Sequence, residues 1–118
     1  MKQYSIYVLK CSDNSLYTSS SLEEKDDFLQ RHNSGNGEPY TKGRLPVTLF
    51  WEHKGIEDKY VASSVAFAIR KLYNYKKFRL FKGDIEILDY VLSEGNKKGP
   101  IRVKNFENYL KSIEGRDG

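Results

Sequence analysis

Tyr7 and Tyr17 are the first residues in this chain whose types and placing could do chemistry. Tyr7 sits in the run Tyr4-Ser5-Ile6-Tyr7-Val8-Leu9-Lys10-Cys11, and Tyr17 in Ser15-Leu16-Tyr17-Thr18-Ser19. The first run is rich in β-branched and aromatic residues, as a strand is. Between the two runs, Asp13-Asn14 tolerates positive φ and can bond its own backbone, which suits a tight turn. The pattern predicts a hairpin. If both rings point the same way, two phenols share one patch of surface.

The cations are the second candidate group. From Lys59 to Gly83 there are seven Lys or Arg (59, 70, 71, 76, 77, 79 and 82) and no Asp or Glu. The rest of the chain holds 13 basic and 16 acidic residues, so this segment contains the whole positive excess of a chain of net charge +4. Such segregation is the footprint of contact with a polyanion. A solvated helix face followed by a basic loop gives the same pattern. In Tyr75-Lys76-Lys77-Phe78-Arg79-Leu80-Phe81-Lys82, rings and cations interleave, which suits stacking on bases and pairing with phosphate. The plain alternative sends the rings inward, and Phe78 and Phe81 are expected in the core.

The elements that must position these groups follow from pattern. Ser19-Ser20-Ser21 offers N-cap chemistry for a helix with Glu23 and Glu24 in its first turn, ending near His32-Asn33. Residues 33–39 read as a loop, and Val47 to Glu52 as a third strand. Lys54 to Asp58 then turns the chain. Ala62, Val65, Ala66, Ile69, Leu72 and Tyr73 recur at spacings of three and four, one apolar stripe of a long helix. Ile85, Leu88, Val91 and Leu92 predict a short helix from Asp84. Gly95 to Pro100 reads as a turn, and Asn105 to Ile113 as a last helix.

At 118 residues, with 38% hydrophobic and 31% charged side chains, one ordinary globular domain is expected. No apolar run approaches the roughly 20 residues of a membrane span, and Met1-Lys2-Gln3-Tyr4 lacks a signal-peptide core. One cysteine, Cys11, excludes an internal disulfide. With only two histidines beside it, a zinc site is not expected. Cys11 itself reads as a buried strand-end residue. The cytoplasm is the expected compartment.

The hairpin and three later blocks carry a family resemblance. Ser5-Ile6-Tyr7 and Tyr17-Thr18-Ser19 resemble the two motifs of the GIY-YIG nuclease domain. His32-Asn33-Ser34-Gly35-Asn36-Gly37, Tyr40-Thr41-Lys42-Gly43-Arg44-Leu45-Pro46-Val47 and Ile69-Arg70-Lys71-Leu72 are similar to its small stand-alone bacterial branch. The likeness runs from Tyr4 to about Lys77. It implies a three-stranded antiparallel sheet flanked by helices, an α+β fold, over residues 1–82. Residues 83–118 would be a C-terminal helical extension packed on it.

The resemblance also implies a recipe for cutting a phosphodiester. The first tyrosine acts as base on water, an arginine on the first helix grips phosphate, and a glutamate on the long helix holds one divalent cation. The second tyrosine orients the phosphate or water. Tyr7 and Tyr17 are present. Counting places Lys25, Asp27 or Phe28 at the arginine, depending on the anchor, and Ala66 at the glutamate. Ser5 and Ser19 replace the motif glycines. A methyl group cannot hold Mg²⁺, which wants oxygen ligands, so no metal or cofactor is expected.

The reading is a catalytically degenerate domain that binds nucleic acid, DNA ahead of RNA, without cleaving it. Tyr7, Tyr17 and Lys25 are its vestigial catalytic groups. The expected contacts are Tyr7, Tyr17, Lys25, Arg31, His32, Tyr40, Lys42, Arg44, Arg70 and Lys71. One alternative is a protein-interaction or inhibitor module on the same fold, with a protein partner at the C-terminal extension. Another is an active Mg²⁺-dependent endonuclease using Lys25 and a tail acid, Asp84 or Glu86.

Overall fold

A computed structural model of the chain describes residues 2–96. The predicted turn beyond Asn96 and the predicted last helix lie outside the described residues. Three antiparallel strands, β1 (Tyr4–Lys10), β2 (Leu16–Ser21) and β3 (Thr48–Ile56), form one sheet in the order β2-β1-β3. The fold is α+β: among the described residues, a three-stranded antiparallel sheet is flanked by five helices, the last of them towards the C-terminus. No helix among the described residues is long and apolar enough to cross a membrane.

The expected hairpin forms. Asn14 adopts φ 69°, its amide bonds the Cys11 carbonyl, and the Asp13 carboxylate accepts from the Ser15 amide. Cys11 is buried. Ser19, Ser20 and Ser21 pair with Tyr7, Ile6 and Ser5, so they extend the strand and do not cap the next helix. Ladder hydrogen bonds to the central strand outweigh one local cap. Helix α1 (Lys25–Arg31) therefore begins later, behind Glu24, and Leu22 is left exposed. Strand β3 also outruns expectation. It absorbs the first part of the predicted turn, Lys54 to Ile56, through a register shift and Gly55 at φ 95°.

One face of the sheet carries Ile6 and Val8 towards helix α3 (Lys59–Lys71). The Asp58 carboxylate caps α3, accepting from the amides of Tyr60 (2.7 Å) and Val61 (3.0 Å), a contact worth about 1 kcal/mol. Of the predicted stripe, Ala62, Val65, Ala66 and Ile69 are buried, with Val61 beside them; Leu72 is half-buried, and Tyr73 falls beyond the helix end and is exposed. The chain breaks at Leu72, resumes as α4 (Asn74–Phe81), and continues as α5 over residues 85–96. Asp84 caps α5 through the amides of Glu86 and Ile87. Ile87 and Val91 join the α3 core, whereas Ile85 points to solvent. The helix runs through Gly95, where a turn was expected. A β-carbon there would lie 2.1 Å from Val65 Cγ2, so only a glycine lets the two helices approach this closely.

The opposite face packs Tyr7, Leu9 and Cys11 on Phe28 of α1 and on Val47. After α1 come a π-type turn, His32–Asn36, reversed at Gly35 (φ 89°), and the one-turn helix α2 (Pro39–Lys42). His32 is wholly buried. Thr41 Oγ1 donates to the Glu38 carbonyl, so His32 Nδ1–H is the donor in its 2.8 Å bond to Thr41. Gly37 lies against this ring, where a β-carbon would stand 2.3 Å from Nδ1. Asn33 clamps Val47 at both its amide (2.8 Å) and its carbonyl (3.0 Å). The Ser12 amide bonds the Arg44 carbonyl. These contacts fix the Tyr40–Arg44 loop against the hairpin.

Two outcomes test this packing. Gly95→Ala drives a methyl group into Val65, and the expected loss is roughly 1–3 kcal/mol, read as a lower urea midpoint at unchanged slope. An unaltered midpoint contradicts the α3–α5 contact. Burial also holds His32, and separately His53, below the ordinary imidazole value of 6.5. The unfolded chain therefore takes up these protons first on acidification. Stability from this source is full above 6.5 and is lost as pH drops from there through the lowered folded-state values. His32→Gln should flatten that slope and leave only the share of His53; a slope equal to the parent's contradicts the enclosed ring.

Candidate nucleic-acid interface

The register Tyr7↔Ser19 and Leu9↔Tyr17 places Tyr7 and Tyr17 on one face of the sheet, since cross-strand partners point the same way. Their surroundings differ. Tyr7 is 1% exposed, and its ring stacks on Phe28 at 4.6 Å between centroids. Its hydroxyl donates to the Glu23 carbonyl at 2.7 Å. Burial raises its pKa above 10.0, and the nearby carboxylates of Glu52, Glu24 and Glu23 push the same way. A phenol held so releases its proton less readily than a free one. Phe28, one of the three counted positions for the arginine, closes the space over Tyr7, while Lys25 lies exposed in the first turn of α1.

Glu52 was not foreseen. It stands opposite Tyr7 on β3, with Oε2 enclosed and lacking a hydrogen-bond partner among the described residues. Simple alternation from Leu49 puts residues 51 and 53 on this face. The bulge at Phe50 shifts the phase and brings Glu52 there instead. Ala66, by contrast, is 1% exposed in the core on the other side of the sheet. Asp84, one proposed substitute acid, is engaged in capping α5 and in a salt bridge to Arg79 at 2.6 Å. Among the described residues no three His, Cys, Asp or Glu gather as a metal-ligand set.

Tyr17 is half-buried and stacks on Tyr40 (5.7 Å, 15°), with the Arg44 guanidinium 3.9 Å from the Tyr40 ring centre. Arg44 also binds Asp13 (3.0 Å) and the Tyr40 carbonyl (2.7 Å). Arg31 donates to both carboxylate oxygens of Glu23, at 2.8 and 3.0 Å. Both arginines are thus neutralised within the protein. Burial raises the pKa of Tyr17 as well, Glu38 adds to it, and Arg70 and Arg31 oppose it. Arg70 therefore lies within electrostatic reach of the Tyr17–Tyr40 pair. The structure brings Tyr17, Tyr40 and Arg44 together, leaves Tyr40 and Lys42 exposed, and encloses Tyr7 and His32. Enclosure takes Tyr7 and His32 out of the set able to touch a polymer.

The end of α3 and the whole of α4 present a different surface. Arg70 and Lys71 are exposed in the last turn of α3. Of the seven cations in the acid-free segment, only Arg79 forms an ion pair among the described residues. Phe81 packs on Phe50 and Trp51, as expected of a core ring. Phe78 does not: it is 59% exposed, because α4 buries Leu80 and residue 78 falls on the opposite side. Tyr73 and Tyr75, 72% and 60% exposed, flank the start of the same helix.

No protein-family model matches the chain. A UPF0213 protein of Clostridium perfringens (strain 13 / Type A) is 40% identical over 77 residues, 64% of this chain and 78% of that protein. A UPF0213 protein of Staphylococcus aureus (strain Mu3 / ATCC 700698) is 37% identical over 82 residues, 70% of this chain and 98% of its own length. A solution NMR structure of a UPF0213 protein from Bacillus halodurans is 29% identical, covers 73% of this chain and 93% of that one, and superposes with a TM-score of 0.44. With almost the whole staphylococcal protein aligned at that identity, the chain belongs to the UPF0213 family.

Proposed function

We propose that this chain is a catalytically silent GIY-YIG-like domain that holds nucleic acid, DNA ahead of RNA, without cutting it. The observation that carries the reading is the α3–α4 surface. At the end of α3 and along α4 it has five cations without an ion-pair partner among the described residues (Arg70, Lys71, Lys76, Lys77 and Lys82), no carboxylate from Lys59 to Gly83, and exposed rings between them. Unpaired surface cations displace condensed counterions from a phosphate backbone, and that release is the main source of affinity. Arg70, Lys71 and Lys42 grip phosphate in this reading. Tyr40, braced by Arg44, offers a ring beside them.

Silence in catalysis follows from fit. A nuclease of this type needs a divalent cation; beside Tyr7, Glu52 offers one enclosed carboxylate oxygen, and among the described residues no set of three acidic, histidine or cysteine ligands gathers around it. Ala66 offers a methyl group inside the core, and the Tyr7 hydroxyl is occupied by a backbone carbonyl beneath Phe28. No hydrolytic step is assigned.

Labelled duplex DNA, branched DNA and RNA, titrated at several salt concentrations with Mg²⁺ or Mn²⁺ present, test both halves. Affinity should fall log-linearly with salt, at about −0.9 per duplex phosphate contacted. The charge-reversing pair Arg70→Glu and Lys71→Glu should weaken binding and shallow the slope, and the polymers should remain whole. Absence of binding at low ionic strength refutes the reading. Metal-dependent cleavage that disappears in Tyr7→Phe or Glu52→Gln refutes the silence.

A further inference from the structure

We infer that the exposed strip of α4 is a stacking platform for unpaired bases, so that the polymer held is a single strand. This inference rests on the nucleic-acid reading above and narrows it.

Helical spacing sets Tyr75, Phe78 and Lys82 on one side of α4, three and four residues apart, while Leu80 turns inward. Tyr73, just before the helix, lies nearly parallel to Tyr75, at 11° and 6.2 Å between centroids. Lys82 Nζ stands 4.3 Å from the Phe78 ring centre, and Lys71 Nζ stands 4.9 Å from that of Phe67. Single exposed apolar residues are ordinary. Here three of the five most exposed large hydrophobic side chains lie within residues 73–78. They lie in the stretch that also lacks any acid.

The charge names the occupant. A polyanion with flat apolar faces matches rings set among cations. Residues 97–118 carry six Lys or Arg against three Asp or Glu, the same sign as the strip, so their charge gives them no pull towards it. A duplex satisfies the cations but not the rings, because its bases are already stacked inward. A single strand satisfies both. Its bases can turn onto Tyr73, Tyr75 and Phe78 while its phosphates meet Lys71 and Lys82. Deoxyribose and ribose polymers share this chemistry.

Fluorescence anisotropy of the full chain with labelled oligo(dT), oligo(U) and a hairpin duplex of equal length tests the inference. The expected result is tighter binding of either single strand than of the duplex, the better of the two naming the sugar. Tyr75→Leu and Phe78→Leu should each weaken single-strand binding roughly tenfold, the size of one stacked base. They should leave duplex binding and the salt slope unchanged. Lys82→Gln should shallow the slope instead. Duplex bound as tightly as single strand, or leucine variants that bind single strand like the parent, overturns the platform and leaves the nucleic-acid reading standing. No retention of any polymer at low salt overturns both. The parent's comparison of single strand with duplex needs no variant, so the test survives a substitution that fails to fold.

Discussion

Strand β1 bonds a neighbour along each edge and is covered on each face, and every other element takes its place from that enclosure. Ile6 and Val8 serve the α3 layer, while Tyr7 and Leu9 serve the α1 layer, all at 1% exposure or less. A strand buried on both faces reads as a continuous apolar run, and a tyrosine within it is a core residue first. The polar end of Tyr7 then needs a partner indoors, and the Glu23 carbonyl supplies one. Phe28 completes the enclosure. What looks like a chemical group in the sequence thus becomes a tie between the sheet and the start of α1.

Charge is organised in two ways. Around Tyr17, cations are internal braces: Arg31 fixes Glu23, and Arg44 fixes Asp13 and the Tyr40 ring. These pairs are partly exposed and individually contribute little to stability. They do hold a loop in one shape. At the end of α3 and along α4, Arg79 pairs with Asp84 and Lys76 shares a cleft with Glu86, whereas Arg70, Lys71 and Lys82 are exposed and, among the described residues, without an ion pair. Their field reaches about one Debye length, roughly 8–10 Å at ordinary ionic strength.

Much of this was legible from residue types. The hairpin announced itself through Asn14, the α3 stripe through its spacing, the start of α5 through Asp84, and the α+β class through their order. The misreadings have particular causes. Three serines in a row suggested a helix cap, but hydrogen bonding along β1 claimed them for the sheet. Gly95 suggested a turn, but it is the contact point of two helices, which depends on Val65 thirty residues earlier. Glu52 was hidden by a bulge, which changes the phase of a strand without changing its composition. His32 resembled a surface ligand because its partners, Thr41 and Gly37, become neighbours only after the loop folds. Each of these is a tertiary fact that local pattern does not encode.

The crossing at Gly95 also has a bearing on synthesis. One core cluster contains Ile6 from the first strand and Val91 from the last described helix. A nascent chain emerging from the ribosome can zip the hairpin early, yet the flank of α3 at Val61 and Val65 remains uncovered until residues 87–95 follow. Until then that greasy surface is open to wrong partners, as in any late-closing intermediate. Translation has to run almost to Asn96 before this half of the interior can be sealed.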